Sequence, residues 1–215
     1  MDATGDTLKF LTQFIRHPQQ AGAVMASGKK LCILLAQTAG VQNSNIIVEF
    51  GTGTGAVTEE ILKMKSETAR LIGIEINQQF AAETQERCPD AEIVNDNVAR
   101  VGNVLNDRGL HASDCIVSGL PWVNFSEVTQ DKILDATVNV LRPGGRLVTF
   151  AYLHGFLLPS ARRFRSKLQE RFSDVGMTPV VWTNFPPAFV LWADKNKRTV
   201  PNHTNGIATK YRLPP

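Results

Sequence analysis

"VEFGTGTGAVT", residues 48–58, joins the end of an apolar run to three glycines spaced two residues apart. The run that it ends, "NIIVEF" (45–50), is nearly continuous in apolar residues and is bounded by turn residues, which is typical of a buried strand in a parallel sheet. A glycine turn between such a strand and a helix lets a ligand approach the backbone closely. These residues therefore predict an α/β domain with a ligand site at the turn.

Strand patterns alternate with helical patterns along the rest of the chain. The further strand patterns lie at residues 70–76, 91–96, 114–122 and 146–152. Alternation of this kind predicts a doubly wound, mostly parallel sheet with helices on both faces. Two closing strands, 178–184 and 188–194, are separated only by a short turn with two prolines. One of them is therefore expected to run antiparallel in a sheet of seven strands.

The chain has 215 residues, a usual size for one α/β domain, and it contains no internal repeat. We expect three parts: a helical extension over residues 1–42, the main domain over 43–195 and a polar, flexible tail over 196–215. No apolar run is long enough to span a membrane, and the first residues lack the pattern of a secretory signal. A cytoplasmic location is expected.

The cysteines bear on disulfides and metal sites, and the distribution of charge bears on anionic partners. The three cysteines, Cys32, Cys88 and Cys115, are odd in number and are not closely spaced, which argues against a disulfide framework or a metal site. Buried, reduced thiols and no bound metal are expected. The formal net charge is only +3, but one segment is rich in cations. Its basic residues are Arg162, Arg163, Arg165, Lys167 and Arg171. They form either a solvated helix face or a surface for an anionic partner.

The first segment, "DTLKFLTQFIRHP", predicts a short amphipathic helix that Pro18 ends. Phe10 and Phe14 lie on its apolar side, and Arg16 lies on its polar side. Such a helix either caps the core of the domain, as a lid over the ligand, or lies in a membrane surface with its apolar side among the lipid headgroups.

The glycine turn carries a carboxylate and no basic residue. Glu49 stands two residues before the first of the glycines Gly51, Gly53 and Gly55. The dinucleotide fingerprint G-x-G-x-x-G has a different spacing and holds a pyrophosphate at the helix N-terminus. A carboxylate disfavours a phosphate at this position and favours a cation.

Two more carboxylates end the next two predicted strands. Glu75 is placed to accept hydrogen bonds from both hydroxyls of a ribose, and Asp96 is placed to accept from an adenine amino group. The other residues expected beside them are Ile76, Asn97 and Gly119. The predicted pocket therefore suits an adenosine with a positively charged tail, and S-adenosylmethionine has that chemistry.

The pattern E-x-G-x-G-x-G, followed by a strand-terminal Glu and by "LRPGG" (141–145), resembles the class I methyltransferase family. The resemblance implies a Rossmann-like fold, S-adenosylmethionine as the cofactor and S-adenosylhomocysteine as the product. In this family the loop after the fourth strand meets the methyl acceptor.

That loop reads "SGLPWVNFS" (118–126). The methyltransferases of base amines, including the related rRNA adenine dimethyltransferases, carry a motif at this position. In that motif Asn, Asp or Ser is followed by Leu-Pro or Pro-Pro and then by an aromatic residue, and the resemblance implies that the first side chain accepts a hydrogen bond from the base amine. Leu120, Pro121 and Trp122 match that layout, but Gly119 stands where the accepting oxygen is expected. Ser118 is one position early and by strand alternation should point elsewhere. Nucleic acid is therefore a less favoured partner, although base methylation stays an alternative.

The segments "FIRHPQQAGAV", "SGLPW", "FAYLH" and "WTNFPPAFV" together resemble the bacterial phospholipid N-methyltransferases of the soluble, membrane-associated type. The resemblance covers nearly all of residues 7–194. It implies methylation of phosphatidylethanolamine toward phosphatidylcholine by a monomer that lies on the inner face of the cytoplasmic membrane. The implied membrane contacts are the amphipathic helix, with Phe10, Phe14 and Arg16, and the basic helix, with Arg162, Arg163 and Arg165. One alternative is that the acceptor is another amine lipid, such as an ornithine lipid. The other is that the protein binds the cofactor without catalysing a reaction.

Methyl transfer to an amine needs a neutral amine held in line with the cofactor, so positioning groups are expected and not an acid–base pair. The candidates lie where the fourth and fifth strands end: Trp122, Asn124, Tyr152 and His154. Tyr152 can hydrogen-bond the amine, and its ring can hold a cationic intermediate. The alternative for Tyr152 is a packing role at the edge of the core, and the alternative for His154 is a loop position without a role in the reaction. Trp182 and Trp192 are expected in the core.

Overall fold

The computed structural model describes residues 24–196, and it describes side chains from residue 28. The predicted amphipathic helix with Phe10, Phe14 and Arg16 lies outside the described residues, as does the predicted tail after residue 196. The membrane contact expected of that helix stays a prediction.

Strands and helices alternate through the described chain, as the sequence predicts. The strands are β1 (Ile46–Phe50), β2 (Arg70–Glu75), β3 (Glu92–Asn95), β4 (Ser113–Ser118), β5 (Leu141–Tyr152), β6 (Asp174–Met177) and β7 (Ala188–Asp194). The helices are α1 (Val24–Ala39), α2 (Ala56–Met64), α3 (Gln78–Arg87), α4 (Val101–Asn106), α5 (Glu127–Val140) and α6 (Pro159–Arg171).

The seven strands form one sheet in the order β3-β2-β1-β4-β5-β7-β6. The first five strands are parallel to one another, and β7 is antiparallel to both β5 and β6. This arrangement confirms the predicted Rossmann-like, mostly parallel sheet with one antiparallel strand. The direction of winding reverses between β1 and β4, and ligands of open α/β sheets bind at the carboxyl ends of the strands at such a point.

The sheet is apolar on both faces because each face is covered by helices. Ile47 packs in a cluster with α1 and α2, whereas the next residue, Val48, packs in a second cluster with α4, α5 and α6. Alternate residues of a strand point to opposite faces, so a strand buried on both sides reads as a continuous apolar run. The strand before the glycine turn is recognisable in the sequence for this reason.

The three cysteines are buried, as expected. Burial raises the pKa of Cys32 and of Cys115 to about 11, so these thiols stay protonated at neutral pH. Their role is packing.

The prediction of a strand over residues 178–184 is wrong. The edge strand β6 ends at Met177, and residues 178–187 form a loop that returns to the sheet through a single bridge from Val181 to Ala188. Pro179 lies just after β6, and proline has no N–H to donate to a strand ladder. The prediction that Trp182 lies in the core is also wrong, because the loop leaves this side chain 71% exposed.

Candidate functional site

The glycine turn follows β1 at the winding reversal. Gly51, Gly53 and Gly55 have φ angles of 72°, 54° and 83°, in the left-handed region that side chains with a Cβ rarely adopt. The N–H of Gly51 donates to the carbonyl oxygen of Ile74 at 2.9 Å, which joins the turn to the end of β2. The three glycines are needed for the shape of the backbone, and they clear side chains from the carboxyl edge of the sheet.

Glu75, at the end of β2, holds this turn in place. One carboxylate oxygen accepts from the Gly53 N–H at 3.0 Å, and the other accepts from the Asn77 N–H at 2.9 Å. Thr84 adds a hydrogen bond from its hydroxyl to the carbonyl oxygen of Gly53 at 2.7 Å. Each carboxylate oxygen has a second lone pair, so Glu75 can still accept from the hydroxyls of a ribose. The sequence indicated the ribose contact but not the support of the turn.

Glu49 is a buried carboxylate that lacks a full set of partners. Its side chain is 1% exposed, and its Oε2 has no hydrogen-bond partner within the described chain. The pKa of Glu49 is raised to about 8, chiefly by burial; the Thr58 hydroxyl lowers it in part, and the Glu75 carboxylate contributes to the rise. A buried acceptor that is left unsatisfied is costly unless a ligand supplies the missing donor. Glu49 therefore favours a cationic donor beside the turn.

The residues predicted at the adenosine end lie at the ends of β2 and β3. Ile76 presents an exposed apolar side chain, and Asp96 Oδ1 accepts from the Asn97 N–H at 2.7 Å. The side chain of Asn97 accepts from the Ala99 N–H at 2.9 Å, so Asn97 acts as a helix cap. Asn95, which the sequence analysis missed, donates to the carbonyl oxygens of Glu75 and Ile76 at 2.9 and 3.1 Å.

These residues fit S-adenosylmethionine. Glu75 and Asp96 can accept from the ribose and the adenine amine, Ile76 offers an apolar surface to the base, and the unsatisfied Glu49 suits the amino group. Nothing basic lies in residues 49–58, and Arg87, which donates to the carbonyl oxygen of Thr54 at 3.0 Å, is paired with Glu59, so the turn carries little net charge for a phosphate group.

Gly119 closes the site on the β4 side. Its N–H donates to the carbonyl oxygen of Phe50 at 2.8 Å, and an added Cβ would lie 2.8 Å from the carbonyl oxygen of Gly51. Packing of the two strand exits against each other therefore requires glycine here. Because backbone packing already requires glycine at position 119, the lack of a side chain there does not indicate which acceptor is methylated. Gly119 therefore does not discriminate between lipid and base methylation.

We expect Gly119→Ala to destabilise the protein and to weaken cofactor binding, because the Cβ forces the β1 and β4 exits apart at a cost of about 1–3 kcal/mol. The matched control is Gly28→Ala, since a Cβ at Gly28 in α1 meets no atom within 4 Å. That change should raise stability by about 0.5–1 kcal/mol. Urea unfolding of both variants measures the difference, and an unchanged free energy of unfolding for Gly119→Ala would contradict this account.

Trp122, which the sequence predicts to meet the acceptor, is buried in the core. The indole is 3% exposed, stacks on Phe164 with ring centroids 4.9 Å apart and donates from Nε1 to Ser118 Oγ at 3.1 Å. Ser118 also accepts from the Leu120 N–H at 3.3 Å, so its hydroxyl points into the core, as strand alternation predicts. Trp122 is a core residue because the loop folds back onto α6.

The other acceptor candidates stay at the carboxyl edge of the sheet. Tyr152, at the end of β5, is half-buried, and its ring stacks on that of the exposed His154 with centroids 5.7 Å apart. Burial raises the pKa of Tyr152, which keeps the phenol neutral at physiological pH. Asn124 is exposed in the short helical turn after β4. The structure thus brings Tyr152 and His154 together and leaves Trp122 apart from them.

Most cations of the basic helix α6 have partners on the neighbouring helix. The partners are an acidic row on α5, with residues spaced four apart: Glu127, Asp131 and Asp135. Lys167 lies 2.6 Å from Asp131, and Arg171 lies 2.9 Å from Asp131 and 2.8 Å from Asp135. The hydrogen bond from Lys167 lowers the pKa of Asp131. Much of the charge of this helix is therefore neutralised within the domain.

The three arginines predicted to bind a membrane differ from one another. Arg163 pairs with Glu127 at 3.1 Å, and both side chains are more than half exposed, so the pair contributes little. Arg165 donates to the carbonyl oxygen of Phe156 at 2.9 Å and covers the Phe156 ring. Arg162 is exposed and forms no ion pair with any residue that the structure describes. Arg162 is thus the best placed of the three for an external anion.

Within residues 24–196 no helix has the length and apolar character needed to cross a bilayer. In the same range, no group of His, Cys, Asp and Glu side chains is arranged to hold a metal ion.

Comparison with known sequences agrees with this site. Residues 47–145 match the family model described as a methyltransferase domain. An ornithine lipid N-methyltransferase of Singulisphaera acidiphila is 28% identical over 143 residues, which are 65% of this chain and 74% of the relative. A ubiquinone/menaquinone biosynthesis C-methyltransferase of Escherichia fergusonii is 25% identical over 133 residues, or 58% of this chain. The matched region spans about half, 49%, of that second relative.

Solved structures share the fold. The N-methyltransferase NodS from Bradyrhizobium japonicum has a TM-score of 0.64 and 13% identity, and the match covers 82% of this chain and 99% of that one. The O-methyltransferase TomG from Streptomyces achromogenes, in complex with S-adenosylmethionine, has a TM-score of 0.61 and 17% identity over 91% of this chain and 100% of its own. The expected relation to rRNA adenine dimethyltransferases gains no support from these matches. The glycine turn, Glu75 and Asp96 all lie within the residues that match the methyltransferase domain model, and the solved structures share the Rossmann-like fold around them.

Proposed function

We propose that this domain N-methylates the headgroup amine of a membrane lipid. The observation that carries the proposal is the identity of 28% over 143 residues with an ornithine lipid N-methyltransferase. Phosphatidylethanolamine, which the sequence pattern favours, and an ornithine lipid are the two candidate acceptors. Both present an amine in the headgroup layer, where a surface-bound enzyme reaches it without spanning the bilayer.

The side chains at the carboxyl edge support amine chemistry. S-adenosylmethionine, when bound, supplies a methyl group from its sulfonium. Glu75 and Glu49 hold and orient the cofactor from the β1–β2 side, and Tyr152 meets the acceptor at the end of β5. Its neutral phenol can accept a hydrogen bond from the amine N–H, and its ring face can hold the ammonium that forms. We call the space between Tyr152 and the glycine turn the acceptor crevice; partial desolvation there lowers the pKa of the lipid ammonium and so supplies the neutral amine.

The acceptor is identified with labelled S-adenosylmethionine and three kinds of substrate. These are vesicles with phosphatidylethanolamine, vesicles with an ornithine lipid, and undermodified rRNA. Label in either lipid supports the proposal and selects between the two acceptors. Label in RNA alone would replace it with the base methyltransferase alternative, and label in none would favour a non-catalytic role.

We expect Tyr152→Phe to lower kcat by about 10-fold while the affinity for S-adenosylhomocysteine stays unchanged, because the lost hydrogen bond is worth about 1.4 kcal/mol. Tyr152→Ala should lower kcat further, since it also removes the ring that faces the cation. Steady-state kinetics with the lipid acceptor and calorimetric titration of the cofactor separate the two effects. If Tyr152→Phe retains full activity, the hydroxyl has no part in positioning the amine.

A further inference from the structure

Two loops at the carboxyl edge of the sheet expose large apolar side chains to solvent. They follow β5 (residues 153–158) and precede β7 (residues 178–187). We call their exposed apolar side chains the apolar rim, which consists of Leu157, Leu158, Trp182 and Phe185. Leu157, Trp182 and Phe185 are 70%, 71% and 78% exposed.

The two loops lie side by side. The N–H of Leu153 donates to the carbonyl oxygen of Pro187 at 2.8 Å, and Tyr152 pairs with Ala188 in the sheet. Phe156 and Phe189 pack edge to face beneath the loops, with ring centroids 5.1 Å apart. The buried side chain of Asn184 donates to the carbonyl oxygen of Pro186 at 2.6 Å, which fixes the turn between Trp182 and Phe185. The rim is therefore displayed by a supported backbone.

The rim is concentrated at the site and is not a random part of the surface. Seven large apolar residues of the described chain are exposed, and four of them lie on these two loops. The end of β5 is two strands from the glycine turn after β1, or roughly 10 Å at the usual strand spacing. In the sheet order, Tyr152 at the end of β5 lies between that turn and the start of β7, where the second loop ends. An object that covers the rim would thus lie against the mouth of the acceptor crevice.

Charge indicates what covers the rim. Residues 153–161 and 178–187 contain no Asp or Glu, and Arg162 follows directly with no ion pair among the described residues. Exposed Trp, Phe and Leu beside an unpaired cation are typical of side chains that enter the headgroup layer of an anionic membrane. Four side chains fall short of the roughly 800 Å² per partner that a standard protein interface buries. A lipid surface needs no such matched partner.

We propose that the apolar rim inserts into the headgroup layer of an anionic bilayer, with Arg162 on a lipid phosphate, and that this sets the acceptor crevice at the depth of the lipid amine. The inference rests on the proposed function, since it names the surface through which that function reaches its substrate. It assigns membrane contact to the described domain itself, in addition to the contact expected of the N-terminal segment.

The test uses the full chain and vesicles of phosphatidylethanolamine and phosphatidylglycerol. We expect the double variant Trp182→Ser with Phe185→Ser to partition onto these vesicles about 10- to 100-fold more weakly than the wild type, from the apolar area lost. The matched control is Met177→Ser, an exposed apolar residue on β6 outside the two loops, which should leave binding unchanged. Equal binding of the double variant and the wild type, or an equal loss in Met177→Ser, would overturn the inference.

Trp182 also reports directly on its surroundings. Trp122 is buried and Trp192 is half-buried, so brominated lipids should quench mainly Trp182, and Trp182→Phe should lose that quenching while it still binds vesicles. If the protein binds vesicles but the brominated lipids do not quench Trp182, the rim does not enter the bilayer. Something else, such as the segment before residue 24, would then cover it. A dimer in lipid-free solution that the double variant converts to a monomer would identify a second copy as the occupant.

Methylation of a short-chain, water-soluble phosphatidylethanolamine separates this inference from the proposed function. We expect the double variant to methylate it as well as the wild type does, because the crevice is intact. A wild type that binds vesicles through the rim but methylates no lipid amine would leave the docking surface standing and refute the proposed function. A protein that methylates a lipid amine but binds vesicles independently of the rim would refute the docking surface and leave the proposed function standing.

Discussion

Glu75→Ala is expected to lower the affinity for S-adenosylhomocysteine by at least about 100-fold, because hydrogen bonds to a charged acceptor are worth about 1.5–3 kcal/mol each. The ribose loses its acceptors, and the N–H groups of Gly53 and Asn77, which now donate to Glu75, lose theirs. The turn then keeps the hydrogen bond from Gly51 to Ile74 but loses its side-chain connection to the end of β2. Calorimetric titration measures the affinity, and circular dichroism checks that the variant is folded.

Two comparisons make this result specific. Glu86→Ala removes an exposed carboxylate from α3 and should leave the affinity unchanged. Glu75→Gln keeps one carbonyl oxygen but places an amide donor toward the N–H of Gly53 or of Asn77, so it should fall between the wild type and Glu75→Ala. An affinity of Glu75→Ala within about threefold of the wild type (about 0.7 kcal/mol) would remove Glu75 from the cofactor site.

Glu49 should make the stability of the ligand-free protein depend on pH. Its pKa is raised from 4.5 to about 8, chiefly by burial. Between these two values the folded state holds a proton that the unfolded state has lost, so the free energy of unfolding falls as pH rises. The stabilisation is fully present below pH 4.5 and is lost as pH passes about 8. At about 1.4 kcal/mol per pH unit, the total is at most about 5 kcal/mol.

Glu49→Gln removes this titration and keeps the shape of the side chain. Its free energy of unfolding should lack the fall that the ionisation of Glu49 causes, so that the variant is more stable than the wild type in alkaline solution. Urea unfolding at about pH 5.5 and about pH 9 measures the difference. Parallel pH profiles for the two proteins would show that Glu49 ionises normally in the fold.

The ionisation of Glu49 should also be coupled to binding of the cofactor. S-adenosylhomocysteine carries an ammonium group, and an ammonium beside Glu49 lowers the pKa of this carboxyl, so binding near pH 7 should release up to one proton. Titration in buffers with different enthalpies of ionisation counts the protons. Glu49→Gln should release none and should bind about 10- to 100-fold more weakly, as expected for a lost charge-assisted hydrogen bond. Binding without proton release in the wild type would place the ammonium elsewhere.

The glycine turn and the sheet around it could be predicted from the sequence because both depend on local properties. A backbone with positive φ at Gly51, Gly53 and Gly55 selects glycine whatever packs against it. A strand buried on both faces is apolar throughout. The positions of Glu75 and Asp96 at strand ends follow from the same pattern, since parallel strands bring their carboxyl ends to one edge.

The roles of several side chains could not be predicted, because their partners are distant in the chain. Trp122 enters the core only because Phe164, on α6, lies against it. Gly119 is required by a carbonyl oxygen on a neighbouring strand exit, which no spacing in the loop reveals. Arg171 finds its carboxylate partners on α5.

By itself, the sequence determined the alternation of strands and helices as far as β5, the glycine turn and the carboxylates beside it, since these depend on neighbours along the chain. Only the tertiary structure decided that Trp122 is core and Trp182 is surface, that α5 neutralises most of the charge of α6, and that the loops around Tyr152 expose an apolar rim. The physical reason is that burial and ion pairing depend on which elements pack together, and strand register and helix packing set those contacts.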